Sequence, residues 1–419
     1  MKNGEKSLGL KRTGNILRPQ SKRVLVRPFL VTDGQRVRSL MERLATLSNE
    51  EVKEALDEAL HDFASRHADM PTILRRHYER ARVHLDGWPD ISEERQMLAG
   101  AYFTSEYALE SAALFNPSIV PAPNQDGVAE GDLRFVISLR ATGEGHISSI
   151  EFREGVVDAK GKITMEEAGS MVTEPERVDA AAYERELFAR KLAEIGLESD
   201  YSWSVLNALE ERFTIAELRR ALDTVDSRGG GVDIDRVKTG MEMLAESNYE
   251  TQFSSGQRVE ERIIFPSSPS ERNGIEDARF VAFRRDDGSV IYYATYTAYD
   301  GRVILPQLIE TEDFLYFKIR TLNGPAAQNK GMALFPRLIG GRYAMISRQD
   351  NENVFLMFSD HPHFWNDYEP LFQPKQAWEL VQMGNCGSPI ETEEGWLVLT
   401  HGVGPMRKYC IGAILLDLE

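Results

Sequence analysis

Asn273-Gly-Ile-Glu-Asp-Ala-Arg-Phe280 lies between a polar loop, Pro266-Ser-Ser-Pro-Ser-Glu-Arg272, and two short apolar runs, Val281-Ala-Phe283 and Val290-Ile-Tyr-Tyr-Ala294. Asp286-Asp-Gly288 between the runs is a turn signal, so the stretch reads as loop, strand, hairpin, strand. Residues i and i+2 of a strand share a face, so Asp277 and Arg279 are expected side by side, the guanidinium holding the carboxylate. The plainer alternative is a surface turn carrying a charge pair.

Outward from this stretch, β text runs almost unbroken from Glu260 to Leu418. Gly340-Gly341, Asp350-Asn-Glu-Asn353 and Glu393-Glu-Gly395 each separate two apolar runs at hairpin spacing. Upstream, Leu133-Arg-Phe-Val-Ile-Ser-Leu-Arg140 and His146-Ile-Ser-Ser-Ile-Glu-Phe152 form another hairpin around Thr142-Gly-Glu-Gly145. Hairpin after hairpin without intervening helix favours the blades of a propeller. Residues 114–159 and 246–419 are therefore assigned to one β-propeller, mainly β in class.

Two helical stretches interrupt it. Residues 36–113 read as a helical block: Ser48-Asn-Glu-Glu51 is a capping box, followed by Val52, Leu56, Leu60 and Phe63 at helical steps. Further helices are expected near Thr72 to Val83, from Ser92, and over Glu106 to Leu114. Residues 160–245 read as a helical insertion: Ala180 to Ile195, Trp203 to Phe213, and a helix opened by Thr214-Ile-Ala-Glu217 and broken at Ser227-Arg-Gly-Gly-Gly231. Residues 1–35 read as a basic tail and one isolated strand; over residues 2–27, Lys2, Lys6, Lys11, Arg12, Arg18, Lys22, Arg23 and Arg27 stand against one acid, Glu5.

A net charge of -17 argues against a nucleic-acid or anionic-membrane partner. No run of 18 apolar residues exists to span a bilayer, and no apolar core follows the basic N-terminus. Cys386 and Cys410 lack metal-ligand spacing, and free thiols fit a cytoplasmic chain. No metal or organic cofactor is called for.

Polar residues stand beside strands of different hairpins: Asn116, Ser118, Arg140, His146, Asp277, Arg279, Arg337, Arg348, Asp360, Asn385, Glu391 and His401. A propeller gathers such strand ends around one pit. One acid among several arginines suits a carbohydrate with an anionic partner.

The chain resembles glycoside hydrolase family 130, the β-mannoside phosphorylases and β-mannosidases, in a longer subtype. The resemblance rests on Phe115-Asn-Pro-Ser118, Leu139-Arg140, Gly274-Ile-Glu-Asp-Ala-Arg279, Leu334-Phe-Pro-Arg337 with Ile346-Ser-Arg348, Gly387-Ser-Pro-Ile-Glu-Thr392 with Gly395-Trp-Leu-Val-Leu-Thr-His-Gly402, and Tyr409-Cys-Ile-Gly-Ala-Ile-Leu-Leu-Asp417, in the family's order. It implies a five-bladed propeller and inverting cleavage of β-mannoside oligosaccharides, with inorganic phosphate as co-substrate and mannose 1-phosphate as product. Asp277 would be the proton donor. Asn116, Ser118 and Arg140, with Glu276, Arg279 and Asn385, would hold sugar; His146, Arg337, Arg348 and His401 would hold phosphate.

Two departures qualify that expectation. Glu391 stands where many family phosphorylases have lysine; as a base it would serve a hydrolase using water. The chain also stops at Leu418-Glu419, where family members normally continue. Its hairpins suffice for roughly four blades, so Ile411 to Leu416 is expected to keep an unpaired edge unless Arg23 to Leu30 fills the seam. A non-catalytic carbohydrate-binding protein is the alternative of another class. Linkage, acceptor sugar and any homo-oligomer stay open.

Overall fold

The computed structural model describes residues 12–29, 33–178, 182–225 and 233–418. Lys2, Lys6, Lys11 and the break expected at 227–231 lie outside them. Four sheets of four or more strands follow one another along the chain. The first joins Ala113–Pro121, Leu133–Thr142, Ser148–Val157 and Ile263–Ile264, with Ile163–Met165 beside Ser148–Val157. The second runs Ile275–Arg284, Val290–Tyr299, Ile304–Thr311, Tyr316–Thr321, Tyr249–Gln252, Glu176–Val178. The third holds Ala333–Leu334, Tyr343–Ser347, Val354–Ser359 and Glu369–Phe372. In the fourth, Gly395–Val403 pairs with Gln382–Asn385, Ile390–Thr392 and Tyr409–Leu416.

Apolar side chains that alternate along the strands fill the gaps between successive sheets. Phe152, Phe280, Phe314 and Phe317 knit the first to the second, with ring centroids 5.5–6.2 Å apart. Phe283 and Tyr293 pack with Leu334 and Met345 between the second and third. Ile346 and Phe335 meet Trp396 and Val398 between the third and fourth. Tyr409–Leu416 pairs on one side only among the described residues. The strand Val24–Pro28 does not join it; it pairs with Thr104–Ala108 instead.

The N-terminal helices are Gly34–Ala45, Asn49–Phe63, Met70–Arg82 and Glu93–Tyr102, packed around a core that includes Met41, Leu56, Leu74 and Leu98. The Ser48 capping box forms, the Ser48 hydroxyl accepting from Glu51 N while Glu51 accepts from Ser48 N. Ser48→Ala should cost about 1 kcal/mol of stability, visible as a lower urea midpoint; an unchanged midpoint would contradict it. The helix expected over 106–114 is absent. Thr104–Ala108 and Ala113–Pro121 are strands there, because Val24–Pro28 and Leu133–Thr142 offer partners that local propensity cannot reveal.

Residues 160–245 are less purely helical than expected. Ile163–Met165 and Glu176–Val178 edge the first and second sheets, and Ala182–Glu184 pairs with Arg212–Thr214. Helices Arg185–Glu194, Asp200–Asn207, Ile215–Thr224 and Ile234–Glu246 then enclose their own core around Phe188, Val205, Leu218 and Met241. Among the described residues, no helix is long and apolar enough to cross a membrane.

Candidate functional site

Two bulges aim two side chains at each other. On Ile275–Arg284, Glu276 faces Thr297 and Arg279 faces Thr295, so three steps on one strand match two on its partner. Asp277 occupies the extra turn of backbone with φ 57°. On Ala113–Pro121, Phe115 faces Arg140 and Ser118 faces Ser138, with Asn116 at φ 50° in the same role. Asn and Asp tolerate this left-handed region better than other side chains, and bulges re-aim the residues they carry. The Asn116 amide donates to Asp277 Oδ1. Ser118 latches the two sheets: its hydroxyl accepts from Phe280 N at 2.8 Å and donates to Phe280 O at 3.3 Å. That hydroxyl is thus occupied by backbone.

Arg140 fixes the carboxylates from the neighbouring strand. Its Nη1 donates to Asp277 Oδ1 at 3.0 Å, its Nη2 to Glu276 Oε1 at 2.8 Å, and its Nε to Ser148 Oγ at 2.9 Å. Lys330 Nζ stands 3.6 Å from the other Glu276 oxygen. Burial pushes the Asp277 carboxyl up, but Arg140 and Arg279, with hydrogen bonds from Arg140 and Asn116, hold it below its ordinary value.

Arg279 and Arg348 flank Gly331. Arg279 Nη1 donates to Gly331 O at 2.7 Å. A Cβ on Gly331 would lie 3.7 Å from both Arg279 Nη1 and Arg348 Nε. Gly384, on the fourth sheet, leaves room for His401 on the neighbouring strand and for Arg348, which follows the third sheet; a Cβ there would meet the His401 ring at 2.8 Å and Arg348 Nη1 at 3.4 Å. Arg348 is only 8% exposed, and its Nε and Nη1 have no hydrogen-bond partner among the described residues. Asn385 Oδ1 is likewise buried without a partner. Burial, reinforced by Arg279 and Arg348, pushes His401 down to about 4, so it stays a neutral imidazole at neutral pH. A buried guanidinium with open donors, beside a second one, is a socket for an anion.

Three of the expected residues are not gathered here. Arg337 and Glu391 pair with each other, Nε and Nη2 of Arg337 lying 3.0 and 2.7 Å from Glu391 Oε1, and Arg337 covers the Trp396 ring. Pro336 O accepts from Arg284 N, and Arg284 also acts on Glu391. Arg284 ends the strand that carries Asp277, about 20 Å further along at ~3.3 Å per residue. His146 is exposed on the turn after Leu133–Thr142, with no side-chain hydrogen bond among the described residues.

Sequence reasoning missed Lys330 and Gly331. The Asn329-Lys-Gly331 turn signal was there to find: Asn329 sits at φ 65° and its amide donates to Arg348 O at 3.3 Å and Gln349 O at 3.2 Å. It also missed Tyr409, stacked on His401 with centroids 6.1 Å apart.

Residues 232–419 match the glycoside hydrolase family 130 model described as beta-1,4-mannooligosaccharide phosphorylase. The chain is 34% identical over 172 residues to a 1,2-beta-oligomannan phosphorylase of Thermoanaerobacter sp. (strain X514), covering 39% of this chain and 54% of that one. It is 28% identical over 166 residues to a beta-1,2-mannobiose phosphorylase of Listeria innocua serovar 6a, covering 38% and 45%. A solved structure of the beta-1,2-mannobiose phosphorylase from Listeria innocua, in complex with beta-1,2-mannobiose, aligns with a TM-score of 0.38 at 20% identity, covering 74% and 73%. The chain spans about half the length of the curated relatives it matches.

Proposed function

We propose, for a chain that belongs to glycoside hydrolase family 130 through residues 232–419, that it cleaves β-mannosides with inorganic phosphate. The observation that carries this reading is Arg348, buried with two nitrogens unpaired among the described residues, beside Arg279 and Asp277. In this reading the four sheets are consecutive blades of a five-bladed propeller, and the Asp277 cluster lies in its pit.

A phosphate oxygen attacks the anomeric carbon from the face opposite the glycosidic oxygen. The carbon–oxygen bond to the acceptor breaks, and the departing oxygen takes a proton that originates on Asp277, directly or through a hydroxyl of the bound sugar. The product is mannose 1-phosphate of inverted configuration. Asn116 and Arg140 hold the sugar, with Glu276 and Lys330 at its edge, and Ser118 positions the strand. Arg279, Arg348 and the neutral His401 hold phosphate as donors. Without phosphate, Asp277 is ionised by its arginines. A dianion set against Arg279 and Arg348 offsets their charge and raises the Asp277 pKa, so the proton enters with phosphate.

Incubation with a panel of β-linked mannobioses, with and without phosphate, tests the reading through release of mannose 1-phosphate. Phosphate-independent release of mannose would favour the hydrolase. Glu391 speaks against that rival, since its carboxylate is taken by Arg337 far from Asp277. Arg348→Met should raise the KM for phosphate about tenfold or more while binding of the mannoside changes little. An unchanged phosphate KM would remove Arg348 from the anion site.

A further inference from the structure

A second cluster of arginines stands well outside the Asp277 site. Helix Met70–Arg82, strand Val24–Pro28 and residues 172–178 enclose a cavity of about 1070 Å³ where the N-terminal helices meet the β sheets. Arg76 and Arg80 project into it from one helical face, four residues apart. Like charges at that spacing repel and destabilise a helix. Neither has an ion pair or a side-chain hydrogen bond among the described residues. Arg27 enters from the strand, resting on the Phe265 ring with its guanidinium 4.4 Å from the centroid.

Two carboxylates share this side of the cavity with the three cations, and Asp69 is engaged as the helix N-cap, its Oδ1 accepting from Thr72 N at 3.4 Å. Glu174 Oε1 pairs with Arg27 Nη1 at 2.5 Å. His77, between the two arginines on the helix, adds no charge: burial, reinforced by Arg80, Arg76 and Arg27, pushes it down to about 4, and its Nδ1 is engaged with Thr104 Oγ1 at 2.7 Å. On the opposite wall Arg177 and Arg272 are tied to main-chain carbonyls, and the Glu246 carboxylate is taken by Arg219 at 2.7 Å. Arg76 and Arg80, both exposed to the cavity, are thus left among the described residues with neither an ion pair nor a hydrogen bond, Glu174 acting on them only from a distance.

A carboxylate ligand would neutralise one of them. A phosphomonoester near neutral pH carries close to two negative charges and three acceptor oxygens, which matches both planar forks. The cavity is far larger than a phosphate ion, so the phosphate is the anchor of a bigger molecule. We propose that this cavity binds a phosphorylated small molecule of sugar size, its phosphate gripped by Arg76 and Arg80.

Hydrogen–deuterium exchange on the intact chain tests this, with mannose 6-phosphate as probe and mannose and inorganic phosphate as controls. Mannose 6-phosphate should slow exchange in 70–82 and 172–178, and mannose should not. Arg76→Gln with Arg80→Gln should abolish that protection, weakening apparent affinity about tenfold or more. Arg76→Lys with Arg80→Lys keeps the charge but loses the fork, so an intermediate loss is expected. No protection of 70–82 in the unaltered protein, protection by mannose alone, or full protection in the double Gln variant would overturn the site. Equal protection by inorganic phosphate would overturn the assignment of a sugar-sized ligand.

Discussion

Asp277→Asn is expected to lower turnover of a β-mannoside by about 10²-fold or more while sugar binding persists. The substitution keeps an oxygen able to accept from Asn116 and Arg140, the two donors that hold Asp277 Oδ1 now. What it removes is the ionisable proton. The pH profile adds a second signature. Arg140 and Arg279 keep the carboxyl below its ordinary value in the free site, so the acid form must be won when phosphate binds. Activity should fall as pH rises through the pKa of the phosphate-bound enzyme, because the donor is then lost. The residual activity of Asp277→Asn should lack that fall. Near-normal turnover in the variant, with the mannoside still bound, would sink the assignment of Asp277 as proton donor.

The sequence made Asp277 visible through its place between a polar loop and a hairpin, and the capping boxes at Ser48 and Thr214 through local spacing alone. Features that depend on distant partners stayed hidden. Asp277 and Arg279 would share a face only on a regular strand, and the bulge between Glu276 and Arg279 breaks the alternation. Residue type held a hint, since Asn116 and Asp277 are both of the kind that accepts a left-handed backbone. The same limit explains Arg337 and Glu391. Alternation assigns a residue to a face of a strand, yet says nothing about which end of the sheet its neighbour will meet. Their mutual pairing beside Arg284 follows from the stacking of the second, third and fourth sheets. Charge counting likewise places Arg23 in a basic tail, because net charge over a segment cannot reveal that a buried pair of carboxylates awaits one member of it.

That burial makes Arg23 the largest single stability determinant predicted here. Its side chain is fully buried, with Nε 2.9 Å from Glu151 Oε2 and 3.0 Å from Glu110 Oε1. Its Nη1 and Nη2 donate to Gly169 O and Glu260 O, each at 2.7 Å. Arg153 completes the cluster, Nη2 at 2.5 Å from Glu110 and Nη1 at 3.0 Å from Glu151. Two cations thus balance two anions away from water. Arg23→Met leaves one carboxylate uncompensated and two carbonyls without their donor, and should cost about 3–5 kcal/mol. The sign of the pH dependence follows from the pair. Burial and the neighbouring Glu151 raise the Glu110 carboxyl above its ordinary value. Burial works against ionised Glu151 too, but Arg23 and Arg153 hold it below its ordinary value. Removing Arg23 lets both rise. An acid whose folded pKa exceeds its unfolded one favours the folded state at low pH, and that contribution is lost as pH rises toward neutrality. The deficit of Arg23→Met should therefore be largest at and above neutral pH and shrink toward the ordinary carboxylate range. Adding Glu110→Gln to it restores charge balance with Arg153 and Glu151, so the double variant should regain part of the loss at pH 7. Urea unfolding of the three proteins at several pH values measures this directly. A deficit independent of pH, or a double variant no more stable than Arg23→Met, would mean that packing rather than the uncompensated charge sets the cost.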